Sequence, residues 1–216
     1  MKKELIKNQI IELIAEAKGS FKKEPLLAID LLKQAFEKTI ENNLIEQIGI
    51  SKLDKLIDYQ FKNKLYSESI TYILKLLQYS KTANLTKWFT YHYYDLLTTA
   101  YLNCDNKFIA LNTFIKKYIE HKKYFFAIGD FKTLQRFPID KYDTNTKFIE
   151  LLEKLDMKNY EKQIIDIVNK FVDREFVPFT KINQLYMNKS KLKAMLSINE
   201  NEIDTIFQNS IFIDHI

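Results

Sequence analysis

The sequence predicts a mainly α fold built from stacked antiparallel helical hairpins, and three observations carry that prediction. Only three Gly and three Pro punctuate 216 residues, too few for the turn-rich course of a sandwich or barrel. Apolar residues recur at helical spacing from Leu5 to the neighbourhood of His121. The polar connections between these periodic stretches are only a few residues long, as in helical hairpins. A chain of this length suits one domain or a closely fused pair and can bury roughly 70% of its unfolded surface.

Taken in order, Leu5, Ile6, Ile10, Leu13, Ile14 and Ala17 mark a first helix, with Gly19 expected as its C-cap. Pro25 opens a second, because proline at a first helical position forfeits no hydrogen bond, and Leu27, Leu31 and Ala35 are expected on its inner face. Leu53, Leu56, Ile57 and Phe61 continue the pattern in a third stretch. Ser67 is a candidate cap for the next helix, whose stripe runs Ile70, Ile73, Leu74 and Leu77. "LTKWFTYHYYDLLTTAYLNC" and "DNKFIALNTFIKKYIEHKK" supply two more. The hairpins are of tetratricopeptide or HEAT type, although the Ala and Gly positions of a standard tetratricopeptide repeat are mostly missing. The texture changes after His121, which divides the chain into a helical stack at 1–122 and a second module at 123–216.

The tail carries a different pattern. Leu192, Met195 and Leu196 form one apolar stripe, and Ile203, Ile206 and Phe207 form another at i, i+3, i+4 spacing. Between them Asn199 is a candidate N-cap with Glu202 three residues on, a reciprocal pairing that satisfies orphan backbone donors, and Ile198 fills the angle. That is a helix-turn-helix, and the β-branched "IFIDHI" after it reads as a strand. The second module therefore divides into helices at 123–185 and a winged helix with a truncated wing at 186–216.

In this order the tail, "LKAMLSINENEIDTIFQNSIFID", resembles the PCI domain of the proteasome lid, the signalosome and translation initiation factor 3. Leu192, Leu196, Ile198, Glu202, Ile203, Phe207, Ile211, Ile213 and Asp214 stand at the matching places. "GDFKTLQRFPIDKY" and "FIELLEKLDMKNYEKQI" are similar to the helices that precede the winged helix in that family, and "KINQLYMN" to the helix entering it. The resemblance covers about the last ninety residues. It implies a core of Leu192, Leu196, Ile198, Ile203 and Phe207, and a partner-pairing edge strand at Ile211, Phe212 and Ile213. The implied role is a non-catalytic scaffold subunit, most like one of the proteasome regulatory lid, whose partners are other PCI-type subunits. A small subunit of initiation factor 3 is the alternative within the family.

Composition and motifs narrow the chemistry. His92, His121 and His215 form no metal-binding spacing, so no metal site can be written. His92 in "WFTYHYYDLL" reads as packing rather than as a general base. Cys104 stands beside Asp105 near a helix end, where charge and dipole both disfavour a thiolate nucleophile. Three glycines supply no phosphate-cradling loop. The expectation is no enzyme, no cofactor and no small-molecule substrate. No run approaches the ~18 apolar residues of a membrane span, and a single cysteine suits a reducing cytosol or nucleus.

A nucleic-acid-binding regulator is the rival from another class, since the formal charge is +5. The would-be recognition helix carries Glu200, Glu202 and Asp204, however, and no Lys or Arg follows Asn199, so phosphate would be repelled there. Lys189, Lys191 and Lys193 are a weak candidate contact, read first as a solvated face. The aromatic cluster Trp88, Phe89, Tyr91, Tyr93 and Tyr94 reads as core before stacking platform.

Overall fold

The computed structural model describes residues 2–83 and 87–127, together with 152–154, 158, 201 and 205. These are mainly helical, and no strand occurs among the described residues. Among the described residues up to 127, seven helices follow one another: α1 (Lys2–Ser20), α2 (Pro25–Glu41), α3 (Ile45–Ile48), α4 (Ile50–Lys62), α5 (Tyr66–Thr82), α6 (Lys87–Asn103) and α7 (Lys107–Ala127). They belong to two compact units, Met1–Leu76 and Leu77–Ile216. The sequence-derived boundary at 122/123 falls inside α7.

In the first unit α1 packs on α2 and α2 on α4, with the single turn of α3 lodged among them. From α1, Ile10, Ile14 and Ala17 point inward at i, i+4, i+7. α2 contributes Ala28, Ile29, Leu32, Ala35 and Phe36, and α4 contributes Leu53, Leu56 and Ile57. Buried hydroxyls are satisfied within their own helices: Thr39 donates to the Ala35 carbonyl at 2.6 Å and Ser69 to that of Tyr66 at 2.7 Å.

Three positions expected in the core are exposed. Leu5 is 60% exposed, Leu27 44% and Leu74 44%. Each apolar stripe is wider than the contact it makes. At 3.6 residues per turn, Leu27 and Leu74 each sit about 120° from the centre of their helix's buried stripe.

The helix ends differ most from expectation. Gly19 lies within α1, which continues to Ser20. Termination comes instead from Ser20, whose hydroxyl donates to the Glu16 carbonyl at 3.0 Å and whose own carbonyl accepts from Lys23 and Glu24 N–H at 2.9 Å each. Ser67 is no cap either, because α5 already begins at Tyr66. Of the two described glycines Gly49 has the structural duty: its φ of 91° separates α3 from α4, a conformation that costs a residue with a Cβ dearly.

Elsewhere a different device recurs. Asn43, Lys64 and Asp105 adopt φ of 52°, 59° and 57°, the left-handed turn that closes a helix. In each case the next residue's N–H reaches back five positions: Leu44 to Thr39 at 3.0 Å, Leu65 to Gln60 at 2.9 Å, and Asn106 to Tyr101 at 2.9 Å. Asn42 and Asn63 add a side-chain amide bond to the carbonyl four residues back, each 2.8 Å, and Asn103 does the same one place earlier in its turn.

Asn and Asp tolerate this conformation, but lysine gains nothing from its Cβ there. Lys64→Gly is therefore expected to raise stability by about 0.5–1 kcal/mol. Urea titration checks it, and a loss of stability would show that the Lys64 side chain itself contributes.

In the second unit α6 and α7 form a helical hairpin. Tyr93, Tyr94, Leu97 and Ala100 are buried in α6, and Ala110, Leu111 and Ile115 in α7, with Leu152 also buried. The alanines let the two backbones approach closely. Across this seam the Thr98 hydroxyl meets that of Thr113 at 3.0 Å, while Thr113 donates to the Ala110 carbonyl at 2.9 Å. Asp95 and Lys117 add a half-exposed ion pair between the same helices, a contact worth well under about 1 kcal/mol.

Candidate functional site

The tail residues singled out from sequence, namely Leu192, Leu196, Ile198, Ile203, Phe207, the strand Ile211–Ile213, and Lys189, Lys191 and Lys193, lie outside the described residues. Among the aromatic cluster, Tyr93 and Tyr94 are core, 0% and 3% exposed, and Tyr91 is half-buried. Trp88 and Phe89 belong to α6, with side chains outside the described set. Half-buried His92 lies 5.7 Å from the Tyr93 ring. Cys104 is exposed in the turn between α6 and α7.

The most distinctive described surface is one end of the first unit, where the α1–α2 turn meets the end of α4. Phe21 stacks on Tyr59 with ring centroids 3.6 Å apart and planes 20° from parallel. The Lys62 ammonium lies 5.7 Å from the Phe21 centroid and 5.8 Å from that of Tyr59, within range of the negative ring faces. Stacking thus ties together two chain segments that carry Lys18, Lys22 and Lys23 on one side and Lys62 and Lys64 on the other, all exposed. Glu16 and Glu24 are exposed on the same end. Beside them, in the first turn of α2, Leu26 is 63% exposed and Leu27 44%.

This end went unread in the sequence. Leu27 was expected on the inner face of its helix, and Lys22 and Lys23 belong to no spacing that marks a site. The available signal was the run "FKKEPLL", a lysine pair between an aromatic and two leucines at a helix junction.

Nearby electrostatics are structural. Lys33 of α2 donates to Glu68 of α5 at 2.6 Å, and that hydrogen bond holds the ammonium above its usual titration range against the opposing effect of burial. Burial raises the Tyr72 hydroxyl and, separately in the second unit, that of Tyr101. A second lysine–aromatic contact places Lys75 5.6 Å from the Tyr72 centroid and 6.0 Å from that of Phe36.

No family model, curated protein or solved structure matches this chain. Among the described residues there is no group of three or more His, Cys, Asp or Glu that could hold a metal ion. No described helix is long and apolar enough to cross a membrane.

Proposed function

We infer that the chain is a non-catalytic scaffold subunit of a multi-subunit assembly, and that the proteasome regulatory lid is the assembly it fits best. The observation that carries this reading is the succession of helices. α2, α5 and α6 are each 17 residues long. The hairpins α1–α2 (Lys2–Glu41) and α6–α7 (Lys87–Ala127) each take about 40 residues, the length of a HEAT-type repeat, and stacked repeats of this kind present extended surfaces to partners. The tail adds the resemblance to a PCI winged helix, whose unpaired strand edge at Ile211–Ile213 would offer backbone donors and acceptors to a neighbouring subunit. Residence in cytoplasm or nucleus follows from that role.

Purification of the tagged chain from its own cells, with mass spectrometry of what accompanies it, is the test. Proteasome core and several lid subunits are expected in near-stoichiometric yield. Ribosomal subunits would move the assignment to initiation factor 3. Recovery of the chain alone, or with nucleic acid alone, would overturn the scaffold reading.

A further inference from the structure

The lysine-rich end of the first unit has a composition that its own fold does not require. Lys18, Lys22, Lys23 and Lys64 form no ion pair among the described residues, unlike Lys7, Lys33, Lys55 and Lys117. Leu26 and Leu27 occupy the first turn of α2, behind Glu24, whose exposed carboxylate makes no capping hydrogen bond. Positive charge, hydrocarbon and a rigid aromatic support thus coincide within one short stretch, Lys18 to Leu27, joined by Lys62 and Lys64.

We propose that this end docks an acidic peptide segment bearing large apolar side chains, presented by a partner protein. Carboxylates of the segment pair with Lys18, Lys22, Lys23, Lys62 and Lys64, while one or two of its apolar side chains cover Leu26 and Leu27. Charge complementarity decides the sign of the partner, and the pattern decides its kind. Nucleic acid phosphates make use of lysines but have little to bury against two leucines. An anionic bilayer accepts leucines and lysines together, but it would press Glu16 and Glu24 against like charge. A peptide can place a donor opposite those two carboxylates. The proposal concerns the first unit only and stands or falls independently of the tail.

The test uses the full chain and a fluorescein-labelled synthetic peptide of alternating Glu and Leu or Phe, with binding followed by anisotropy at low and at physiological salt. Saturable binding is expected, weakened at least tenfold by K22E/K23E and at least threefold by L26S/L27S, and unchanged by K3E/K7E at the opposite end of α1. A second charge variant, K18E/K64N, keeps a turn-compatible residue at 64 and is expected to match K22E/K23E. Far-ultraviolet circular dichroism verifies that each variant is folded. No saturable binding, or equal weakening by K3E/K7E, overturns the proposal. So does loss of binding by the charge variants with none by L26S/L27S, and so does tighter binding to phosphatidylserine vesicles or single-stranded RNA than to the peptide.

Discussion

Replacing Phe36 by Ala is expected to cost the first unit about 3–5 kcal/mol, the range for emptying a buried aromatic site. Phe36 is fully buried on α2. Its ring meets that of Tyr72 edge-on, with centroids 5.0 Å apart and planes at 78°, a geometry worth about 0.5–1.5 kcal/mol beyond area burial. Truncation removes that pair and leaves a void in a core whose close packing only partly collapses into it. Against a typical total of about 5–15 kcal/mol, the loss brings a marginal fold close to its midpoint. Urea unfolding followed by circular dichroism should show a lower midpoint with an unchanged slope. Phe36→Leu, which keeps most of the volume, should cost far less. A loss below about 1 kcal/mol for Phe36→Ala would mean that this site is not the centre of the core.

Proline at Phe212 is expected to abolish co-assembly with a neighbouring subunit while leaving the helical content of the isolated chain nearly intact. The argument belongs to the proposed scaffold role. An edge strand contributes N–H and C=O groups to a partner's sheet, and proline removes one donor and fixes φ, so the added ladder cannot continue through that position. A helical hairpin elsewhere in the chain loses no bond. Co-purification from cells expressing wild-type or F212P chain, with circular dichroism of each alone, separates the two effects. Unchanged co-assembly would remove the strand from the interface, and collapse of the helical signal would show that the segment serves the fold instead.

Helix order was legible in the sequence because burial imposes a period of 3.6 residues, and Ile10, Ile14, Leu53, Leu56, Ile57 and Ile73 kept to it. Stripe width was not legible. Leu5, Leu27 and Leu74 share the periodic pattern, but the neighbour that would cover them does not reach so far around the helix. Helix ends were misread for a different reason. Glycine is the usual sign of a left-handed closing residue, whereas here Asn43, Lys64 and Asp105 adopt that conformation, helped by asparagine amides that a pattern of apolar spacing does not register. The lysine-rich end was hidden because Phe21 and Tyr59 are 38 positions apart and meet only after α1, α2 and α4 have packed.

The short turns, four residues between α1 and α2 and three between α6 and α7, also bear on how the chain comes to be folded. Because α1 closes on α2, and α6 on α7, a hairpin needs only the helix that follows it, with almost no loop entropy to overcome. Such local closure is the fast regime of folding. Each hairpin can therefore be complete soon after its second helix emerges during synthesis, well before a distant partner subunit is met.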